Sequence, residues 1–76
     1  ASVIVCPVTS YMTEKLPIRP LVEPSAANGL RVQSQIMTDK IIALRRDKLK
    51  RVIGRLDADA SSELDRALLI VLGLTR

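Results

Sequence analysis

Ser2-Val3-Ile4-Val5-Cys6-Pro7-Val8-Thr9 stands at the start of the 76-residue chain as a β-branched, apolar run without polar alternation. Such a run reads as a strand buried on both faces, because a half-buried strand alternates with a period of two. A strand buried in that way needs a neighbour on each side, and neither a turn nor an edge strand precedes it in the sequence. The expectation is a chain that is truncated, processed or completed by another segment. Pro7 has no N–H to give to a ladder, so the pairing is expected to break or bulge there. That puts Thr9 and Ser10 at a strand end.

After a polar connection over residues 10–15, Leu16-Pro17-Ile18-Arg19-Pro20-Leu21-Val22 carries prolines that suit an edge strand. The spacing of Pro17 and Pro20 is also that of a polyproline ligand, but Glu14 and Val22 stand where its flanking basic residue is expected. Residues 23–29 form a loop by composition, and Asn28-Gly29 supplies a turn with positive φ and a hairpin return. Residues 30–44 read as two strands, or one bent strand, interrupted near Thr38-Asp39-Lys40. A short helical turn over residues 45–50 and a last short strand over residues 51–56 follow. Asp57 is then a good N-cap, with Asp59 in the first turn and Leu56 as a hydrophobic staple, for a helix running to about Leu72. Its core stripe is Ala60, Leu64, Ala67, Leu68 and Val71, while Ser61, Ser62, Glu63, Asp65 and Arg66 cover the outside of the first half. The second half has no polar face. Leu69 and Ile70 continue the outer rows, which predicts burial by a second subunit or protein partner, or by a segment preceding the first strand.

Composition narrows the function. With 47% apolar and 26% charged residues the chain has a globular balance, and its length allows one small domain, residues 1–76, with a marginal core. The longest apolar stretches, residues 3–8 and 67–72, are too short to span a bilayer, and no charged n-region with an apolar h-region opens the sequence. A soluble cytoplasmic protein is expected. One cysteine and no histidine rule out an internal disulfide and the mixed Cys/His zinc sites, so neither metal nor cofactor is expected. Cys6, inside an apolar run with no basic neighbour, reads as a packing residue. Twelve Lys and Arg against eight Asp and Glu give a net charge of +4, concentrated in Arg45, Arg46, Lys48, Lys50, Arg51 and Arg55. That stretch suits a polyanion, and six contacts to a single strand would give a log-log salt slope of roughly −4; a solvated face is the alternative. Tyr11 is the one aromatic residue, which excludes a stacking ladder for bases.

Several short strings, taken in order, are similar to one family. Val5-Cys6-Pro7-Val8-Thr9-Ser10 resembles the VPVTS strand end of the MazF/PemK toxins, Leu16-Pro17 the proline-marked strand after it, and Gly29-Leu30 with Asp39 their hairpin and acidic site. Ile53-Gly54-Arg55-Leu56, a capped helix and Leu72-Gly73-Leu74 complete the resemblance over nearly the whole chain. It implies a mainly β fold with a C-terminal helix, an SH3-like small barrel of the CcdB/MazF (PemK) type, here incomplete at the N-terminus and matching the C-terminal two-thirds of the toxin. It also implies a toxin of a type II toxin-antitoxin system, usually a homodimer, inhibited by an antitoxin whose extended tail lies on its surface. The implied activity is metal-independent, sequence-specific cleavage of single-stranded RNA and mRNA, which inhibits translation and growth. The ribose 2′-hydroxyl attacks the adjacent phosphate, leaving a cyclic phosphate and a new 5′-hydroxyl. That reaction needs a base for the 2′-proton, donors for the phosphorane charge and an acid for the leaving oxygen.

By this resemblance Thr9 falls on the family's active-site threonine, Ser10 is a second donor beside it, and Asp39 matches an acidic position with a general-base or RNA-positioning role. Without the family, Thr9-Ser10 is a local turn bond and Asp39 a turn aspartate. Lys40 stands where many relatives have glutamine and Met37 where at least one has a catalytic arginine, so no acid carries over. The family's arginine precedes proline on an N-terminal strand, whereas Arg19-Pro20 follows the Thr9 strand and is not its substitute. The expected phosphate site therefore lacks its main cation. Arg45, Arg46, Lys48, Lys50 and Arg51 are the expected RNA-binding residues, and Leu69 and Ile70 the expected dimer or partner surface. Two other readings stay open: a noncatalytic remnant that keeps the dimer and antitoxin surfaces, and a CcdB-like barrel that binds gyrase or nucleic acid.

Overall fold

The computed structural model describes residues 1–13 and 18–73. Five short strands and one helix follow each other as β1 (Ser2–Val5), β2 (Val8–Thr9), β3 (Leu21–Val22), β4 (Ser34–Ile36), β5 (Ile42–Arg45) and α1 (Ala58–Val71). They form two antiparallel sheets, β1 with β5 and the three-stranded β2-β4-β3. The fold is mainly β with one C-terminal helix, as the sequence predicts. Leu16 and Pro17, read as the start of the edge segment, lie outside the described residues, as does Leu74; Leu21 and Val22 do form an edge strand.

The opening run is divided at Cys6 and Pro7 into strands of different sheets. Pro7 contributes its carbonyl, which accepts from the Met37 amide at 2.8 Å. The expectation of burial on both faces does not hold for β1. Its residues alternate between exposed and half-buried, with Ile4 72% exposed, because β5 is the strand paired with it. Its side chains instead help line an apolar groove of about 640 Å³, together with Cys6, Val8, Val22, Ile36, Leu64 and Leu68.

Residues 30–44 do hold two strands, separated by a 3-10 turn at Thr38–Lys40 that carries the chain from one sheet to the other. Thr38 is fully buried there, its hydroxyl donating to the Ile18 carbonyl. The strand expected over residues 51–56 is absent. This segment crosses the loop at 27–29: the Arg55 amide donates to the Ala27 carbonyl at 2.8 Å, and glycines stand where the two backbones touch. A Cβ on Gly54 would lie 2.4 Å from the Ala27 oxygen, and one on Gly29, at φ +70°, only 2.1 Å from the Ile53 oxygen. Glycine, without a Cβ, lets the two backbones come that close.

β4 organises the interior. Ser34, Gln35 and Ile36 are all buried, so this strand presents one face to each side of the molecule. Val8 pairs with Ile36 and Val22 with Ser34, and Val8, Val22 and Ile36 line the apolar groove. Thr9 and Leu21 both pair with Gln35 and point the other way. The helix packs against the Thr38–Lys40 turn, with Ala67 fully buried and the other stripe residues half-buried. The Asp57 carboxylate caps it by accepting from the Ala60 amide at 2.8 Å, and Gly73, at φ +73°, ends it. Asp57→Ala is expected to cost about 1 kcal/mol of stability, read as a lower midpoint in urea unfolding followed by helix circular dichroism. An unchanged midpoint would mean the cap is replaced by water at no loss. Among the described residues no helix is long and apolar enough to cross a membrane.

Candidate active site

The face of β4 that carries Gln35 is the floor of a second groove, of about 550 Å³, which sets charged and amide side chains among apolar ones and is less apolar than the first. Thr9, Gln35 and Leu21 lie in one row across the three strands. Met12, Thr13 and Arg19 extend the lining at one end, and Glu63, Arg66 and Ile70 form a wall. Those three helix residues fall at spacings of three and four, which keeps them on one face of α1.

Thr9 is half-buried, and its Oγ1 accepts from the Tyr11 amide at 3.0 Å. A hydroxyl that accepts through a lone pair keeps its own hydrogen to donate. Ser10 is exposed beside it. The threonine thus stands on the groove's face of the sheet, with its acceptor side occupied by backbone and its donor side unused by that bond.

Asp39 reaches the same region through Arg19. Arg19 Nε donates to Asp39 Oδ1 and Nη2 to Oδ2, each at 3.0 Å, a two-pronged pair with side chains 12% and 30% exposed. The hydrogen bonds from Arg19 hold the Asp39 carboxyl below its ordinary value of 3.8, and Asp39 in turn raises the Arg19 guanidinium. A lowered folded-state pKa means that the pair contributes its stability above the ordinary carboxylate range and loses it as acid protonates Asp39. Asp39→Asn is therefore expected to lower the melting temperature near neutral pH and to match the parent in acid. A gap between the two that persists at every pH would show that charge has no part in it.

The sequence-predicted basic residues lie elsewhere. Arg45, Arg46, Lys48, Lys50 and Arg51 are all exposed. Arg45 and Arg46 border a hollow with Ala1 and Asp47, and Arg45 is paired with Asp47. Arg51 borders another hollow with Arg31. Of the predicted surface pair, Leu69 is 42% exposed, whereas Ile70 is half-buried and lines the groove floored by Gln35. Cys6 is half-buried, and burial pushes its thiol pKa up, the condition of a packing residue.

Arg19, Gln35 and Arg66 are the groove residues that sequence reading did not single out. In sequence Arg19 follows the Thr9 strand, and Arg66 reads as part of the outer helix face. The alternation of Gln33 and Gln35 with Ser34 and Ile36 was the available signal, since it marks a strand with one polar face.

The chain matches the family model described as PemK-like, MazF-like toxin of type II toxin-antitoxin system over residues 1–72. It is 39% identical over 74 residues to a probable endoribonuclease MazF of Mycolicibacterium smegmatis, a match covering 97% of this chain and 68% of that protein. In structure it is similar to the Mycobacterium tuberculosis toxin MazF-mt6, with a TM-score of 0.84 and 28% identity over 99% of this chain and 73% of that one. A second solved structure, of an Mtb toxin, superposes with a TM-score of 0.80 and 28% identity, covering 92% of this chain and 74% of its own. A family match over nearly the full length, a relative 39% identical and solved toxins of similar structure agree: this chain belongs to the PemK-like, MazF-like toxins of type II toxin-antitoxin systems.

Proposed function

We propose that this toxin is an endoribonuclease that cuts single-stranded RNA without a metal ion, by attack of the ribose 2′-hydroxyl on the adjacent phosphate. The observation that supports the reading is the pairing of Thr9 with Gln35, whose side chain lines a groove with Arg19 and Arg66 as its cations. Thr9, with Ser10 beside it, donates to a phosphate oxygen. Arg19 has N–H groups beyond the two given to Asp39, and a guanidinium is suited to a phosphorane. Asp39, with both oxygens engaged and its pKa lowered, is a poor proton acceptor, so its part is to aim Arg19. Arg45, Arg46, Lys48, Lys50 and Arg51 attract the RNA strand at long range. The cognate antitoxin is a protein partner, and Leu69 supplies apolar surface for it or for a second copy of the chain in a homodimer.

The deciding experiment offers the folded chain a single-stranded RNA in the presence of a chelator. The expected products end in a 2′,3′-cyclic phosphate and a 5′-hydroxyl; an uncut substrate under these conditions overturns the reading. RNA affinity is expected to fall steeply with salt, and neutralising Arg45, Arg46, Lys50 and Arg51 together to flatten that dependence. An unchanged slope would remove the four from the RNA surface.

A further inference from the structure

Gln35 occupies the middle residue of the central strand and is only 3% exposed. An apolar side chain would fill such a position without penalty, whereas a buried amide is tolerated only when its polar atoms are bonded. Among the described residues, the side-chain bonds of Gln35 go to one residue outside its own sheet. Its Oε1 accepts from the Thr13 amide at 3.2 Å and from the Thr13 hydroxyl at 3.1 Å, and its Nε2 points to the Thr13 carbonyl at 3.5 Å.

Thr13 lies four residues beyond Thr9, and Thr9 is the cross-strand partner of Gln35. The segment from Thr9 to Thr13 therefore leaves β2 opposite the backbone of Gln35 and returns to its side chain. Within this loop the Tyr11 amide donates to the Thr9 hydroxyl, so the position of Tyr11 decides where that hydroxyl points. Resting on the nuclease reading above, we infer that Gln35 is a positioning residue: its amide clamps Thr13, and the clamped loop aims the Thr9 hydroxyl at the phosphate. Gln35 acts through Thr9 and needs no contact of its own with RNA.

Two substitutions test this. Gln35→Met keeps an unbranched side chain of similar length and removes the amide. Thr13→Val removes one of the two donors from a residue on the exposed loop and spares the sheet, so it remains informative if the first variant fails to fold. In both, hydrogen exchange of the Tyr11 and Thr13 amides is expected to quicken while exchange in α1 is unchanged. RNA cleavage is expected to fall in kcat, on the order of 10²-fold for Gln35→Met and less for Thr13→Val, with KM held. Introduced into a Thr9→Ala chain, neither is expected to lower cleavage further, since both act through the hydroxyl already removed. Losses that add to that of Thr9→Ala, or amide exchange at Tyr11 and Thr13 that stays as in the parent, would overturn the positioning role. A parent chain that cuts no RNA would overturn the nuclease reading and the catalytic consequence with it, and the exchange measurement would still decide whether the clamp exists.

Discussion

Thr9→Ala is expected to reduce RNA cleavage by a factor on the order of 10² to 10³, the usual consequence of losing one donor to a developing oxyanion, while leaving the fold intact. The second half of that expectation follows from the surroundings of the hydroxyl. Its recorded partner is the amide of Tyr11, an exposed residue, so water can replace the lost acceptor. The backbone of Thr9 stays in register with Gln35 whatever its side chain. Unfolding curves should therefore nearly coincide while single-turnover rates diverge. Thr9→Ser keeps the donor and is expected to recover part of the rate, reduced by the freer rotation of an unbranched hydroxyl. Normal turnover in Thr9→Ala would make the threonine a strand-end residue and nothing more.

How much of this arrangement is legible in the sequence depends on how local its cause is. The break at Pro7, the turn at Gly29, the cap at Asp57 and the core stripe of α1 each follow from a few neighbouring residues, and each stands where it was expected. The segment at 51–56 is not a strand and instead meets the 27–29 loop, a long-range contact that its own residues do not specify. β1 illustrates the reverse difficulty. A continuous apolar run specifies that both faces seek burial, not how many neighbours will pair with it, and the sheet pairs it with β5. At the candidate site, Thr9 and Asp39 are named through family resemblance; Thr9 pairs with Gln35, and Asp39 is joined to Arg19. The grouping of Arg19, Gln35 and Arg66 comes from β3, β4 and α1 meeting around one groove, which is a long-range consequence of topology.

Arg19 is where that distinction has the largest expected effect beyond Thr9. It lies after the Thr9 strand in sequence, yet the pairing of Leu21 and Thr9 with the same Gln35 puts the two segments on either side of one central residue. A guanidinium held there by Asp39 is already oriented before any RNA arrives, and preorganised charge stabilises a transition state without further rearrangement. Arg19→Ala is expected to lower kcat/KM by a factor on the order of 10² to 10³. Arg19→Lys is expected to recover only part of the loss, because an ammonium cannot grip Asp39 in two places and face a phosphate as well. Asp39→Asn separates the two roles that the ion pair confounds. If Arg19 served only to hold the loop through Asp39, breaking the pair from either side would reduce cleavage equally. If Arg19 meets the phosphate, Arg19→Ala must be much the more damaging, and it must also reduce the salt slope of RNA binding by roughly 0.7, the share of one single-strand phosphate contact. Equal losses from the two variants, with the slope unchanged, would return Arg19 to a structural role.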